Sequence, residues 1–270
     1  MFNKRLTHRS LMLTKLFAIS VVLPSAAHAE FSQGFETDTS GWSDGGGAYG
    51  VITRVASGTG GITSADGGYH ATVEQTTYGV YTAFDGYRST WPGNWTTSVD
   101  IYLDIGWAAG EGFDYSVAAN GSDGAHERDF IFHVTKDTST GDLLVGASNN
   151  TNFDPREDLE TLNHAVIGSS GWYTFEHSFQ DVGGVLSVDL NLYDGGGLIW
   201  TETRSNPADL IPSIVGGNRY GWFTNVDIAG GIAVDNTALV PEPSNIAMLL
   251  GLSAFSLAGY GWRRKKQQAA

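Results

Sequence analysis

Ser98-Val99-Asp100-Ile101-Tyr102-Leu103-Asp104-Ile105 sets Val, Ile, Leu and Ile on one side of an extended chain and Ser, Asp, Tyr and Asp on the other. Successive side chains of a strand point to opposite faces, so this period of two predicts a strand with one face in a core and one in water. The alternation returns in Leu186, Val188, Leu190 and Leu192, set against Ser187, Asp189 and Asn191, and in Phe130, Phe132 and Val134, set against Ile131 and His133. Further runs that read as strands are 49–55, 69–75, 78–84, 113–119, 143–148, 172–179, 198–203, 220–226 and 232–239. Glycine-rich turns punctuate them, among them Gly45-Gly46-Gly47, Gly183-Gly184 and Asp194-Gly195-Gly196-Gly197. There is no helical periodicity and no alternation of strands with helices. The body, 30–239, is therefore predicted to be one all-β domain, an antiparallel β-sandwich of jelly-roll-like order.

Composition narrows the function. The chain has 270 residues, 36 glycines, no cysteine and a net charge of -14. Without cysteine there is neither a disulfide framework nor a thiolate metal site. The acidic balance excludes the basic face that nucleic-acid binding needs.

The two ends read as addresses. Lys4, Arg5, Arg9 and Lys15 precede the short apolar run Leu16–Leu23, and Ala27-His28-Ala29 is a small-x-small cleavage site. This predicts a signal peptide over 1–29, too short in its apolar part to span a bilayer. At the other end, Val240-Pro241-Glu242-Pro243-Ser244 leads into the apolar stretch Ile246–Trp262 and then Arg263, Arg264, Lys265 and Lys266. As a helix that stretch would reach about 26 Å, enough to cross a bilayer, with the basic cluster left on the cytoplasmic side. Removing the two basic ends leaves seven basic and 28 acidic residues in the body, a net charge of -21.

Val-Pro-Glu-Pro-Ser, an apolar helix and an Arg/Lys cluster, in that order over 240–270, resemble the PEP-CTERM sorting signal of Gram-negative bacteria. The resemblance implies passage through the export machinery and a transient inner-membrane anchor. It further implies processing near the motif by an exosortase, and delivery to the cell surface or an exopolysaccharide matrix. It says nothing of the body. Two local likenesses do. Phe35-Glu36, Ser40-Gly41-Trp42 and Ala233-Val234-Asp235-Asn236 are similar to the first and last strands of jelly-roll carbohydrate-binding modules. Gly171-Trp172-Tyr173-Thr174-Phe175, with Gly184–Val188 and Leu192–Gly196, is similar to paired strands of concanavalin-like and laminin-G-like domains.

The body lacks the serine elbow, phosphate loop and zinc-helix motifs. Asp100-x-Tyr-x-Asp104 has one carboxylate too few for the acid and nucleophile pair of a concanavalin-like glucanase. Glu111, Asp114, Glu127 and Asp129, close in sequence, are the other acids that could flank a sugar. The scattered histidines, 70, 126, 133, 164 and 177, read as structural. The jelly-roll likeness implies a structural Ca²⁺ joining first strand to last, held by Glu36, Asp38 and Asp235; the competing reading is ordinary surface acids. Trp172 and Trp222 sit in strand patterns and read as core. Trp91 and Trp95, in the turn Trp91-Pro92-Gly93-Asn94-Trp95, and Trp107 are the candidates for stacking on sugar rings, with Tyr78, Tyr81 and Tyr87 just upstream. The expected function is a non-enzymatic matrix or surface protein that binds matrix polysaccharide. The alternatives are a purely structural or adhesive protein and a concanavalin-like glycan-active enzyme.

Overall fold

A computed structural model describes residues 29–150 and 156–242. The leader before residue 29, Pro243 and Ser244 of the sorting motif, the apolar stretch and the cluster 263–266 lie outside the described residues. Among the described residues no helix is long and apolar enough to cross a membrane.

The body is an all-β antiparallel sandwich of two sheets. In chain order the strands are β1 (Phe31–Gln33), β2 (Trp42–Ser43), β3 (Gly50–Ala56), β4 (Tyr69–Gln75), β5 (Tyr81–Thr82), β6 (Trp95–Leu103), β7 (Gly112–Gly121) and β8 (His126–Lys136). They continue as β9 (Leu143–Asn149), β10 (Ala165–Ile167), β11 (Gly171–Val182), β12 (Val185–Asp194), β13 (Gly197–Leu210), β14 (Val215–Thr224) and β15 (Ile232–Pro241). One sheet runs β13-β12-β11-β6-β15-β4-β3, with β1 also on β15; the other runs β10-β9-β8-β7-β14-β5-β2.

The alternation in β6 is realised residue by residue. Trp95, Thr97, Val99, Ile101 and Leu103 are buried, and the residues between them are half-buried. Ile105 falls past the strand end and is exposed. In β12 Leu186, Val188, Leu190 and Leu192 face inward. The hairpin β11–β12 turns through Gly183-Gly184, both at positive φ, as the sequence requires of a two-residue turn. Across the sandwich, Phe132 of β8 meets Phe175 of β11 edge-on at 5.0 Å, and Phe130 meets Phe179 at 5.5 Å. Such pairs join the two inner faces into one core.

The first and last strands do meet. β15 pairs with β4 through Ile232–Val234, then with β1 through Thr237–Leu239. The exchange happens at a register shift around Asp235 and Asn236, where Asn236 has φ 44°.

Half-burial fails in the second sheet. Every residue of β7 and β9 is buried, so both faces are covered there. Part of the outer cover is the 3-10 segment Arg156–Thr161, whose fully buried Leu159 lies where a Cβ at Gly146 of β9 would be.

Candidate functional site

One concave feature is a groove of about 490 Å³ lined by Tyr49, Tyr78, Gly79, Tyr81, Tyr87, Tyr220 and Trp222. Strand parity makes its floor. In β14 Gly221 and Phe223 are buried, so Tyr220 and Trp222 share the opposite face. Tyr81 of β5 is the register partner of Trp222, which sets two aromatic side chains side by side on adjoining strands. Gly221 is small on the inner face because Phe84 and the Tyr115 hydroxyl would each lie 3.1 Å from a Cβ there.

Loops supply the walls, and backbone hydrogen bonds fix them. The Tyr49 carbonyl accepts the N–H groups of Thr76, Thr77 and Gly79 at 3.2, 3.4 and 2.8 Å, which holds Tyr78 next to Tyr49 with ring centroids 5.5 Å apart. Gly79 is obligatory there: φ is 104°, and a Cβ would sit 1.6 Å from the Phe223 carbonyl oxygen. On the other wall, Arg88 N–H donates to the Asn218 carbonyl at 3.0 Å and Asn218 Nδ2 to the Gly86 carbonyl at 2.9 Å. Asn120 Nδ2 donates to the carbonyls of Arg88 and Asn218, both at 3.2 Å. This clamp presents Tyr87, 51% exposed, with its ring 6.5 Å from that of Tyr220.

The phenols of Tyr220 and Tyr87 are held neutral. Burial and the Asp129 charge push Tyr220 up to about 12, and burial raises Tyr87 as well. The site therefore offers ring faces and hydroxyls, the chemistry that meets the C–H faces and hydroxyl groups of a sugar.

The tryptophans expected to stack are elsewhere. Trp95 is 1% exposed and lies flat on Phe179 at 3.7 Å, its register partner across β6–β11, so it is core and stacks on no ligand. Trp91 and Trp107 are half-buried and packed against the core. Trp107 meets Phe113 edge-on at 6.2 Å and lines a separate cavity of about 140 Å³ with Tyr102 and Asp104. Trp172 and Trp222, read as core from sequence, are not: their neighbours Tyr173 and Phe223 take the inner face. Trp172 donates Nε1–H to the Thr63 carbonyl at 2.7 Å. Of the six aromatic groove residues, sequence reasoning flagged Tyr78, Tyr81 and Tyr87 and missed Tyr49, Tyr220 and Trp222. The spacing of Tyr220 and Trp222 two apart around Gly221 was the available signal.

Two of the three acids proposed for calcium come to one segment of the chain. Glu36 and Asp235 converge on one segment, but on its backbone N–H groups. Glu36 accepts from Gly68 (3.0 and 3.2 Å) and Tyr69 (3.1 Å), and Asp235 accepts from Ala65 (3.1 Å) and Asp66 (3.3 Å). Asp38 accepts Ser40 N–H at 2.9 Å, and bonds from Ser40 hold its carboxyl below the usual range. N–H donors thus do the neutralising that a cation was invoked for. Among the described residues no group of three or more His, Asp or Glu assembles to hold a metal. Asp235 is fully buried; desolvation first, then the nearby Asp100 charge, raises it to about 6 against the pull of its N–H donors.

The glucanase-like acids are also engaged. Asp100 accepts from Thr174 Oγ1 (2.5 Å) and Asn236 Nδ2 (2.8 Å), and Asp104 from Gly106 N–H and Ser170 Oγ, both 2.8 Å. Glu111 caps Ala108 N–H, Glu127 lies beside Arg128 and Asp129 pairs with His126. One arrangement has the order of an acyl-transfer triad: Asp114 Oδ1 to His133 Nδ1 at 2.7 Å, and His133 Nε2 to Ser148 Oγ at 2.7 Å. Asn225 Nδ2 also donates to Asp114, at 2.5 Å. Ser148 and His133 are fully buried within β9 and β8, so no reacting group reaches the hydroxyl, and the chain of bonds satisfies polar groups on a covered sheet face. His177, also fully buried, is neutral, its pKa pushed down to about 3 by desolvation. These two histidines are structural, as read from sequence.

No family model matches the chain, and no curated protein matches it. Solved structures with some likeness include the CBM2 module of the evolved Dit of Lactobacillus casei BL23 phage J-1, at 12% identity over 80% of this chain and 97% of that one, TM-score 0.45. The Ca2+/Man2-bound VIP36 exoplasmic/lumenal domain matches at 10% over 78% and 88%, TM-score 0.44. A lectin from Bauhinia forficata in complex with GalNAc matches at 8% over 82% and 100%, TM-score 0.42. Likeness at this level assigns neither ligand nor metal to this chain.

Proposed function

We propose that this protein is an exported, non-enzymatic β-sandwich that binds polysaccharide at the cell surface or in the surrounding matrix. The observation that carries the binding part is the groove: five tyrosines and Trp222 line one concavity of about 490 Å³, within the size range of ligand sites. Aromatic faces without a catalytic carboxylate pair suit retention of a glycan and not its cleavage. The leader and the motif at Val240–Ser244 support export, membrane tethering and exosortase processing. Val240 and Pro241 close β15, and Glu242 N–H donates to the Asn94 carbonyl at 2.9 Å, so the motif starts directly at the edge of the folded body.

The burial of Trp95 and the half-burial of Trp91 and Trp107 favour a second reading, a purely structural matrix protein. Pull-down of the full chain, in a detergent without a sugar headgroup, on insoluble neutral and acidic polysaccharides separates the two. Retention that soluble oligosaccharide competes away supports the glycan reading. Absence of retention on every polysaccharide leaves the structural one.

A further inference from the structure

We propose that the groove selects an acidic glycan and that Arg219 pairs with the ligand's carboxylate; this rests on the glycan reading above. The body holds seven basic residues. Arg88, Arg128, Arg156 and Arg204 each meet a carboxylate of the chain itself. Arg219 meets none among the described residues. Its guanidinium lies 5.0 Å from the ring centroid of Tyr87 and 5.5 Å from that of Tyr220, both groove residues. Its Nη1 donates to Asn120 Oδ1 at 2.7 Å and to the Gly124 carbonyl at 3.2 Å. These neutral partners fix the cation without neutralising it. Asn120 is also the residue that clamps the Tyr87 loop, so charge and aromatic wall are positioned together. A planar cation, stacked and held, is preorganised for a carboxylate. Among the described residues Arg54 and Lys136 also meet no carboxylate, but both bond carbonyls of residues that do not line the groove.

The body's charge of -21 opposes an anionic ligand. Range decides between the two effects. At physiological salt the screening length is about 8 Å, so most of that charge is muted at the groove, whereas Arg219 lies within that length of two of its rings. None of the lining residues is acidic. Asp129, whose charge reaches Tyr220, also feels the Arg128 cation.

The test is calorimetric titration of the full chain, in a detergent without a sugar headgroup, with an oligogalacturonate and with a neutral gluco-oligosaccharide of equal length. The expected result is tighter binding of the oligogalacturonate, and a loss of about tenfold or more for that ligand alone in Arg219→Gln. Arg219→Lys, which keeps charge without the planar fork, should fall between. Equal or tighter binding of the neutral ligand by the unaltered protein overturns the acidic preference, whether or not Arg219→Gln folds, and leaves glycan binding standing. Binding of neither ligand overturns both.

Discussion

Replacing Asp235 by Asn should flatten the pH dependence of stability. Asp235 is fully buried at the point where β15 changes partner from β4 to β1. Burial and Asp100 raise it from 3.8 to about 6, even though Ala65, Asp66 and Asn236 donate to it. The folded state therefore holds a proton that the unfolded chain has already released between those two values. Stability from this residue is complete below about pH 4 and is lost as pH rises toward about 6. At 1.36 kcal/mol per pH unit the ceiling is about 3 kcal/mol, and relaxation around the carboxylate brings the expected loss to about 2 kcal/mol. Asparagine keeps one acceptor and loses the other, which costs about 1 kcal/mol at every pH. Other acids, such as Asp137, whose pKa is lowered by bonds from Thr140, tilt the curve the opposite way in both proteins. The quantity to follow is thus the difference in urea-unfolding free energy between the two proteins, from about pH 4 to about pH 8. It should move by about 2 kcal/mol in favour of Asp235→Asn as pH rises. A difference that stays constant with pH would refute the reasoning.

Trp95→Ala should cost about 3–5 kcal/mol in the same assay, because it removes a buried ring stacked on Phe179; a cost below about 1 kcal/mol would put Trp95 outside the core. An activity-based fluorophosphonate should leave Ser148 unlabelled, and Ser148→Ala should destabilise by about 1–3 kcal/mol by removing the buried bond between Ser148 Oγ and His133 Nε2. Labelling of Ser148 would turn the buried chain of bonds into an active site. Calcium should shift the melting temperature equally in the unaltered protein and in Glu36→Gln, since Glu36 serves Gly68 and Tyr69 N–H; a shift lost in Glu36→Gln would restore the ion.

The fold was legible because its signal is local. Alternation in β6, β8 and β12 is read within one strand, and so are the glycines that end strands. Parity was harder. Trp172-Tyr173 and Trp222-Phe223 each put two aromatics side by side, and periodicity cannot say which faces inward. The structure chose the smaller ring for the core in both. Trp95 was misplaced because Pro92-Gly93-Asn94 reads as a turn, whereas the ring belongs to the first residue of β6. The cover over both faces is marked in β9 by the unbroken run Leu143-Leu144-Val145-Gly146-Ala147, but not in β7, where Asp114, Ser116 and Asn120 are buried too. The groove was half legible. Tyr78, Tyr81 and Tyr87 form a visible cluster, but Tyr49, Tyr220 and Trp222 join it through β14–β5 pairing and loop clamps that span 171 residues of sequence from Tyr49 to Tyr220. Glu36 and Asp235, joined in the calcium expectation, converge on the segment 65–69. There backbone N–H groups, which carry no sequence signature, meet both carboxylates.

The most direct test of the groove is the double substitution Tyr78→Ala with Tyr87→Ala, two rings 61% and 51% exposed and therefore dispensable to the core. The full chain and this variant would be titrated with whichever oligosaccharide is retained in the pull-down. With stacking worth about 0.5–1.5 kcal/mol per ring, the account predicts a loss of about 1–3 kcal/mol in binding free energy at unchanged melting temperature. Undiminished affinity in the variant would contradict it.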